Sequence, residues 1–194
     1  MGNTAWVEMR LALAGTLRLA RGDRGGLSCF DRSLDGFWRS FRAAVISYPL
    51  YLVLLAMRVS VAEWENSGGW RILTVETIGY VIGWVAFPLL MLTVTRWLDR
   101  AHRFFDFMVP YNWCQVPQSA LFELIGLAFE SGMLGPRSGE GIGIIAVAAT
   151  LVYEWYVWYI ARVALDTTGL AAVSIALLDF VLGVLISRIT AGLY

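Results

Sequence analysis

The sequence predicts an all-α integral membrane protein, a bundle of five transmembrane helices preceded by an N-terminal amphipathic helix at the membrane interface. The 194 residues are 58% hydrophobic, and the mean hydropathy of +0.64 is far above that of an ordinary soluble domain. Five apolar segments follow one another, at about 41–62, 76–96, 106–129, 141–162 and 167–188. Each is long enough to span, because a bilayer core of about 30 Å takes roughly 20 helical residues. Residues 1–36 are therefore assigned to the cytoplasmic side and residues 37–194 to the membrane domain.

The cytoplasmic segment predicts a helix over residues 4–20. An apolar line runs along it through Trp6, Met9, Leu13 and Leu17, and its arginines lie mostly off that line, at Arg10, Arg18 and Arg21. Such a helix would lie on the inner leaflet, with Trp6 at the interface and the arginines on anionic lipid headgroups. The alternative is a helix that docks on the protein's own cytoplasmic loops. The glycines at 22–26 end the helix.

The first two spans carry a proline and a glycine pair. Ser33 or Asp35 is expected to cap the first spanning helix, which contains Pro49. Residues 63–70 have a turn composition and predict an external loop. Gly79 and Gly83 of the second span are four residues apart, so they form a groove that another helix can approach closely. The groove indicates either oligomerisation or packing within the chain.

The third span is the least regular of the five. It combines Pro110 and Pro117 with the amides of Asn112, Gln115 and Gln118. Prolines free backbone carbonyls, which neighbouring helices, polar side chains or water must then satisfy. The span either crosses fully or bends back at Pro117. Residues 133–143 predict a glycine-rich outer loop.

The last helical hairpin holds two carboxylates at similar membrane depth. Its turn is expected at 166–169, and Glu154 and Asp179 lie twelve residues before and ten residues after that turn. At 1.5 Å per residue, both carboxyls are roughly 15–20 Å into the membrane. Asp179 also belongs to a small and polar helix face that must meet protein rather than lipid, namely Ala172, Ala176, Asp179, Gly183 and Ser187.

Two interpretations of these carboxylates remain open. A carboxylate at that depth is costly, so it is protonated, paired or facing a polar cavity. The first interpretation is a proton-coupled or cation-binding site, to which Gln115 or Glu123 contributes from the third span. The second is a pair of neutral acids, hydrogen-bonded to tyrosine or tryptophan, that fixes helix packing. The chain has no internal repeat of the kind that transporters usually carry.

The remaining composition restricts the chemistry and suggests an orientation. The net charge is zero, so no nucleic-acid partner is expected. With one histidine and no lysine, the sequence predicts no catalytic residue, no metal site, no cofactor and no enzyme. Eleven arginines fall on one side of a five-span topology and four on the other. The positive-inside rule then places the N-terminus in the cytoplasm and the C-terminus in the periplasm.

Three stretches carry a resemblance to a known family: SLDGFWRSFRAA at 33–44 leading to YPLY at 48–51, ETIGYVIGWVAFP at 76–88, and VPYNW at 109–113. From about Ser33 onward, the chain resembles small five-span bacterial inner-membrane proteins of the Yip1-like group. The resemblance implies five helices, a cytoplasmic N-terminus and no known catalysis. The Asp-Leu-x-Gly-Pro signature of the eukaryotic relatives is absent, so a trafficking role is not implied.

The expected function is that of a non-enzymatic accessory subunit or scaffold in the bacterial inner membrane, acting through lateral helix contacts. Its partners would be membrane lipids and other membrane proteins or a second copy of the chain. The alternative is a small transporter or a proton- or cation-conducting subunit that uses the embedded carboxylates. A water-accessible path to Asp179 favours the transporter, whereas sealed packing around Asp179 favours the scaffold.

Overall fold

The computed structural model describes residues 2–133 and 140–194, and these residues are helical with no β-strand among them. Short 3-10 helices lie at Arg24–Cys29 and Ala101–Arg103. The α-helices of the described chain are α1 (Gly2–Ala20), α2 (Leu34–Ser40), α3 (Arg42–Arg58), α4 (Val61–Ser67), α5 (Gly69–Trp97), α6 (Phe104–Glu130), α7 (Glu140–Ala164) and α8 (Gly169–Ala191).

Four helical segments of the described chain are long and apolar enough to cross a membrane. They are Leu34–Arg58, which joins α2 and α3, then Gly69–Trp97, Gly143–Ala164 and Gly169–Ala191. Their outward surfaces expose large apolar side chains such as Ile82 and Val181. Helices with such surfaces need a hydrocarbon environment, because water would leave this area unburied. The chain is therefore membrane-embedded.

Helix α6 is the third predicted span, and it is not among those four segments. It runs without interruption through Pro110 and Pro117, so it does not bend back at Pro117. Its 27 residues extend about 40 Å. It packs between α3 and α7, and α1 and α2 also contact it. Protein surrounds the first half of α6, where Asn112 is 1% exposed, whereas Leu124 in the second half is 64% exposed. The first half can therefore hold a proline and an amide that a lipid-facing helix would leave unsatisfied.

Helix α1 docks on the bundle, against α6 and α7. Ala12, Thr16 and Leu19 are buried there, and the Tyr156 hydroxyl donates a hydrogen bond to the Thr16 carbonyl at 2.8 Å. Trp6 of the predicted apolar line is 65% exposed. One face of α1 thus contacts protein, while an apolar part of another face remains uncovered.

Ion pairs tie the segments near α1 together. Arg39 of α2 donates to Glu8 at 2.9 Å, and its guanidinium also pairs with Asp31. Hydrogen bonding from Ser33, with the charge of Arg39, holds the pKa of Asp31 below its ordinary value. The side chain of Ser33 accepts the Gly36 N–H at 3.0 Å, which confirms Ser33 as the cap of α2.

The loop predicted at residues 63–70 is wrong in part. Residues 61–67 form helix α4, because Ser60 and Glu63 make a reciprocal capping box at its start. The turn reduces to Gly68, whose φ of +77° separates α4 from α5. The first spanning helix therefore ends at Arg58 and not near 62. Of the predicted outer loop at 133–143, residues 134–139 lie outside the described residues, and α7 begins at Glu140.

Contacts between helices define the two ends of the bundle. Arg103, before α6, pairs with Asp166 in the turn between α7 and α8, at the end where α1 and α2 lie. At the other end, Arg58 meets Glu76 and Gly79 meets Thr190. We call these the α1 end and the distal end. Helices α3, α5, α6, α7 and α8 run alternately between them, and α8 packs against both α7 and α5.

Candidate functional site

A cavity of about 700 Å³ lies among α5, α6, α7 and α8, with two side chains of α3 completing its wall. Small-molecule sites in proteins have volumes of roughly 300–1,000 Å³. The polar and charged part of the lining includes Arg58, Glu76, Asn112, Gln115, Gln118, Thr150, Glu154, Asp179, Ser187 and Arg188. The bundle therefore contains a space large enough for a small molecule, with polar and charged groups set into a mainly apolar wall.

The cavity is closed towards the α1 end. On each of α5, α6, α7 and α8, the residue one turn beyond the innermost lining residue is buried and at most 1% exposed: Met91, Phe107, Val157 and Ile175. In the other direction the lining reaches Arg58, the last residue of α3, and Arg188 in the last turn of α8. Asp179 and Arg188 are nine residues apart on α8, which is about 14 Å along its axis. The cavity thus extends from the middle of the bundle to its distal end.

Asp179 is the best-satisfied polar group of the inner cavity. The Tyr111 hydroxyl of α6 donates to its Oδ1 at 2.5 Å, and the Tyr153 hydroxyl of α7 donates to its Oδ2 at 3.1 Å. The Gln115 Nε2 donates in turn to the Tyr153 oxygen at 2.9 Å. One carboxylate therefore joins three helices through a chain of hydrogen bonds, an arrangement that strengthens each bond.

Glu154 lines the same cavity but is satisfied less well. Its Oε2 is buried and accepts no hydrogen bond from the described residues. Asn112 is 1% exposed; its Nδ2 donates to the Ser40 hydroxyl at 2.8 Å, and its Oδ1 likewise lacks a partner within the described chain. Two buried acceptors in the wall are thus left open, each at a cost of roughly 1–3 kcal/mol.

Of the other polar residues that the sequence suggested for the site, some line the cavity and one does not. Gln118 joins Asn112 and Gln115 in the lining. Glu123 does not: it is buried on α6 away from the cavity wall, and its Oε2 has no partner in the described part of the chain.

A third carboxylate of the lining, Glu76, is buried at the distal end of the cavity and was missed by the sequence reasoning. It is 1% exposed, and it binds the Arg58 guanidinium and the Tyr51 hydroxyl. The Tyr194 hydroxyl also donates to Glu76 Oε1 at 2.5 Å. Burial and the Glu76 charge raise the pKa of Tyr194 to about 12, so Tyr194 remains a neutral donor. The sequence did contain a signal for this pair, because Arg58 and Glu76 carry opposite charges near the facing ends of consecutive antiparallel spans.

The predicted packing residues have two different surroundings. A Cβ on Gly79 would lie 2.2 Å from Thr190 Cγ2, so this glycine lets α5 and α8 approach each other. A Cβ on Gly83 or Gly183 would meet no atom within 4 Å, and both residues line the cavity. Ala172 and Ala176 are buried nearer the α1 end. The small face of α8 therefore packs in one half and lines the cavity in the other.

The three arginines predicted to lie at the membrane interface also have different surroundings. Arg18 pairs with Asp23 at 2.7 Å, whereas Arg10 and Arg21 are exposed. Among the described residues, no three histidine, cysteine, aspartate or glutamate side chains are grouped to hold a metal ion.

Comparisons of the chain with protein-family models, with curated proteins and with solved structures find no match. The cavity and its lining are therefore the features of this protein that bear on its function.

Proposed function

We propose that this protein is a small transporter, or a proton- or cation-conducting subunit, that works through the cavity between α5 and α8. The observation that carries the proposal is that Glu154 and Asp179 line one cavity that extends to the distal end. A scaffold would need these costly groups sealed in packing, and a transporter would need them in reach of water or solute.

The two carboxylates have complementary roles in this proposal. Asp179 receives hydrogen bonds from Tyr111 and Tyr153, which stabilise its charged form. Glu154 has an open oxygen, so it gains most from a proton or a bound cation. Cation binding that displaces a proton from Glu154 would couple the two fluxes.

Other titratable and charged groups set the field around this pair. Tyr111 and Cys114 face it from α6, and Tyr153 faces it from α7. Arg58 and Arg188 lie at the distal end of the cavity, and Arg58 is already paired with Glu76. Among the described residues, the inner half of the cavity is therefore lined by carboxyl groups and by no basic side chain.

The membrane arrangement proposed here has five crossings in the bacterial inner membrane, with the N-terminus in the cytoplasm and the distal end facing the periplasm. The length and continuity of α6 support its role as the fifth crossing. The excess of arginine at the α1 end supports the orientation. The exposed Trp6 supports an interfacial position for α1.

The test is proton flux into liposomes that contain the purified protein and an internal pH-sensitive dye. We expect an imposed pH gradient to relax faster than in empty liposomes, and D179N with E154Q to abolish that difference. Matched controls are D99N and E65Q, which make the same chemical changes at exposed positions outside the cavity. Size-exclusion profiles of all variants establish that they fold.

Two results would overturn the proposal. The first is that liposomes with the wild-type protein show no more flux than empty liposomes under a gradient of protons, Na⁺ or K⁺, although an added ionophore produces flux in the same liposomes. The other is a D179N and E154Q double variant that retains the wild-type flux.

An accessory subunit remains the second candidate, and the surface of α8 favours it. Only 17% of its apolar window is buried within the chain, the smallest share among the four segments. Such a surface is covered either by lipid or by another membrane protein. A mild-detergent pull-down from native membranes, read by native mass spectrometry, tests this candidate. A stoichiometric partner supports it, and a monomer after gentle crosslinking contradicts it.

The resemblance to the Yip1-like group stays a prediction, as does the absence of enzymatic activity. Both are compatible with either candidate function.

A further inference from the structure

We infer that the ligand of the cavity is a protonated organic amine with an aromatic or apolar body, bound between an aromatic wall on α5 and the carboxylates of α7 and α8. This inference rests on the proposed transport function and names its substrate class.

The aromatic wall follows from the helical spacing on α5. Tyr80, Trp84 and Phe87 are separated by four and three residues, so they share one helix face, and all three line the cavity. The wall continues onto α6, because the rings of Phe87 and Tyr111 have centroids 4.5 Å apart. Aromatic faces attract a cation placed within about 6 Å of the ring centroid, and they also cover the apolar part of such a ligand.

The charges of the inner cavity select a cation. Glu154 and Asp179 are the carboxyl groups among the described residues that line it, while the arginines of the lining lie at the distal end. Arg58 is engaged with Glu76, and Arg188 is exposed. An anion entering the inner half would meet two carboxylates with no compensating base, which is unfavourable in a low-dielectric site.

The size and the ligating groups favour an organic cation over a metal ion. A volume of about 700 Å³ matches the sites that proteins use for small molecules. Divalent metal ions bind clustered oxygen ligands, with six to eight for Ca²⁺. The described residues contain no cluster of three or more acidic or histidine side chains that could hold one.

The open acceptors indicate that the ligand carries N–H donors. Asn112 is almost completely buried and lines the cavity, and its Oδ1 has no partner among the described residues. Glu154 is half-buried in the same wall, and its buried Oε2 likewise has no partner there. An ammonium group has three donors and a positive charge, so it suits acceptors of this kind. A quaternary ammonium or a neutral hydrocarbon would leave them unsatisfied.

The test is calorimetric binding of 2-phenylethylammonium to the purified full chain in nanodiscs, without any gradient. Two matched compounds remove one feature each: 2-phenylethanol has the ring and no charge, and ethylammonium has the charge and no ring. We expect 2-phenylethylammonium to bind saturably. The Kd of each of the other two compounds should be higher by roughly tenfold or more. W84L should weaken binding of 2-phenylethylammonium by a similar factor. The control W70L changes a tryptophan that is 83% exposed and outside the cavity, and it should bind as the wild type does.

The inference is wrong if 2-phenylethylammonium does not bind, if 2-phenylethanol binds equally well, or if W84L and W70L behave alike. These results are distinguishable from failure of the proposed function. Selective amine binding without any flux would overturn the proposed transport function but not the amine ligand. Carboxylate-dependent proton flux without amine selectivity would overturn the amine ligand but not the transport function.

Discussion

The three carboxylates of the cavity have different surroundings. Asp179 depends on the two neutral donors Tyr111 and Tyr153. Glu76 has a formal counter-charge from Arg58 and further hydrogen bonds from tyrosines. Glu154 has an oxygen with no partner in the described chain. At the residue scale, the capacity to accept a proton or a ligand is therefore concentrated at Glu154, and structural roles fall to Glu76.

The Arg58–Glu76 pair can be tested by a double-mutant cycle. R58Q removes the guanidinium partner of the buried Glu76 and leaves it the tyrosine donors. We expect a loss of roughly 1–3 kcal/mol in the free energy of unfolding, which is below the full value for a buried pair because the Arg58 side chain is 47% exposed. R58Q with E76Q should recover part of that loss, since the charge is then removed as well.

The measurement is denaturation of each variant in detergent micelles. R96Q is the control, because Arg96 is an exposed arginine at the opposite end of the bundle. An R58Q variant as stable as R96Q would mean that the pair contributes nothing measurable.

At the element scale, α5 and α8 illustrate how one glycine pattern serves two purposes. Gly79 allows the helices to meet at Thr190, near the distal end. Gly83, one turn further along α5, faces open space in the cavity wall. The close contact at Gly79 and the open wall at Gly83 are therefore consecutive features of the same helix face. Packing at the first holds the two walls of the cavity together.

Alanine substitutions separate these two roles. In G79A the new methyl group would overlap Thr190, so we expect α5 and α8 to be forced apart and the free energy of unfolding to fall by roughly 1–3 kcal/mol. G83A is the matched control: its methyl group meets nothing within 4 Å, and we expect stability equal to or slightly above that of the wild type. Equal losses from both substitutions, measured by thermal denaturation in micelles, would contradict the α5–α8 contact.

At the scale of the whole molecule, the cavity is one-sided. Packed apolar residues close it at the α1 end, and its lining reaches the helix termini at the distal end. Because the cavity reaches only one end of the bundle, the proposed function depends on which side of the membrane each end faces.

The topology is tested by the accessibility of single cysteines in spheroplasts. Native Cys29 lies at the α1 end, and S131C and L193C, each made in a C29S background, place thiols at the distal end. With five crossings, a membrane-impermeant thiol reagent should label S131C and L193C from outside and label Cys29 only after lysis. Cys114 is buried and can remain in place. Labelling of Cys29 and L193C from the same side would require an even number of crossings.

Much of the fold could be predicted from the sequence because its signals are local. Hydropathy marked the spanning segments, and the residues around Gly22 and 166–169 marked helix ends that the structure confirms. The error at 63–70 was also local, because a capping box at Ser60 and Glu63 outweighed the turn composition that follows it. The helical membrane class is confirmed, and the fifth crossing stays a prediction.

The sequence by itself determined how far along their helices Glu154, Asp179, Asn112, Gln115 and Gln118 lie, because that distance follows from counting residues; their depth in the membrane stays a prediction. Only the tertiary structure decided their partners: it gave Asp179 to Tyr111 and Tyr153, joined Arg58 to Glu76, and left Glu123 outside the cavity. The reason is that rise per residue is a property of one helix, whereas the facing of side chains depends on how several helices rotate and cross when they pack.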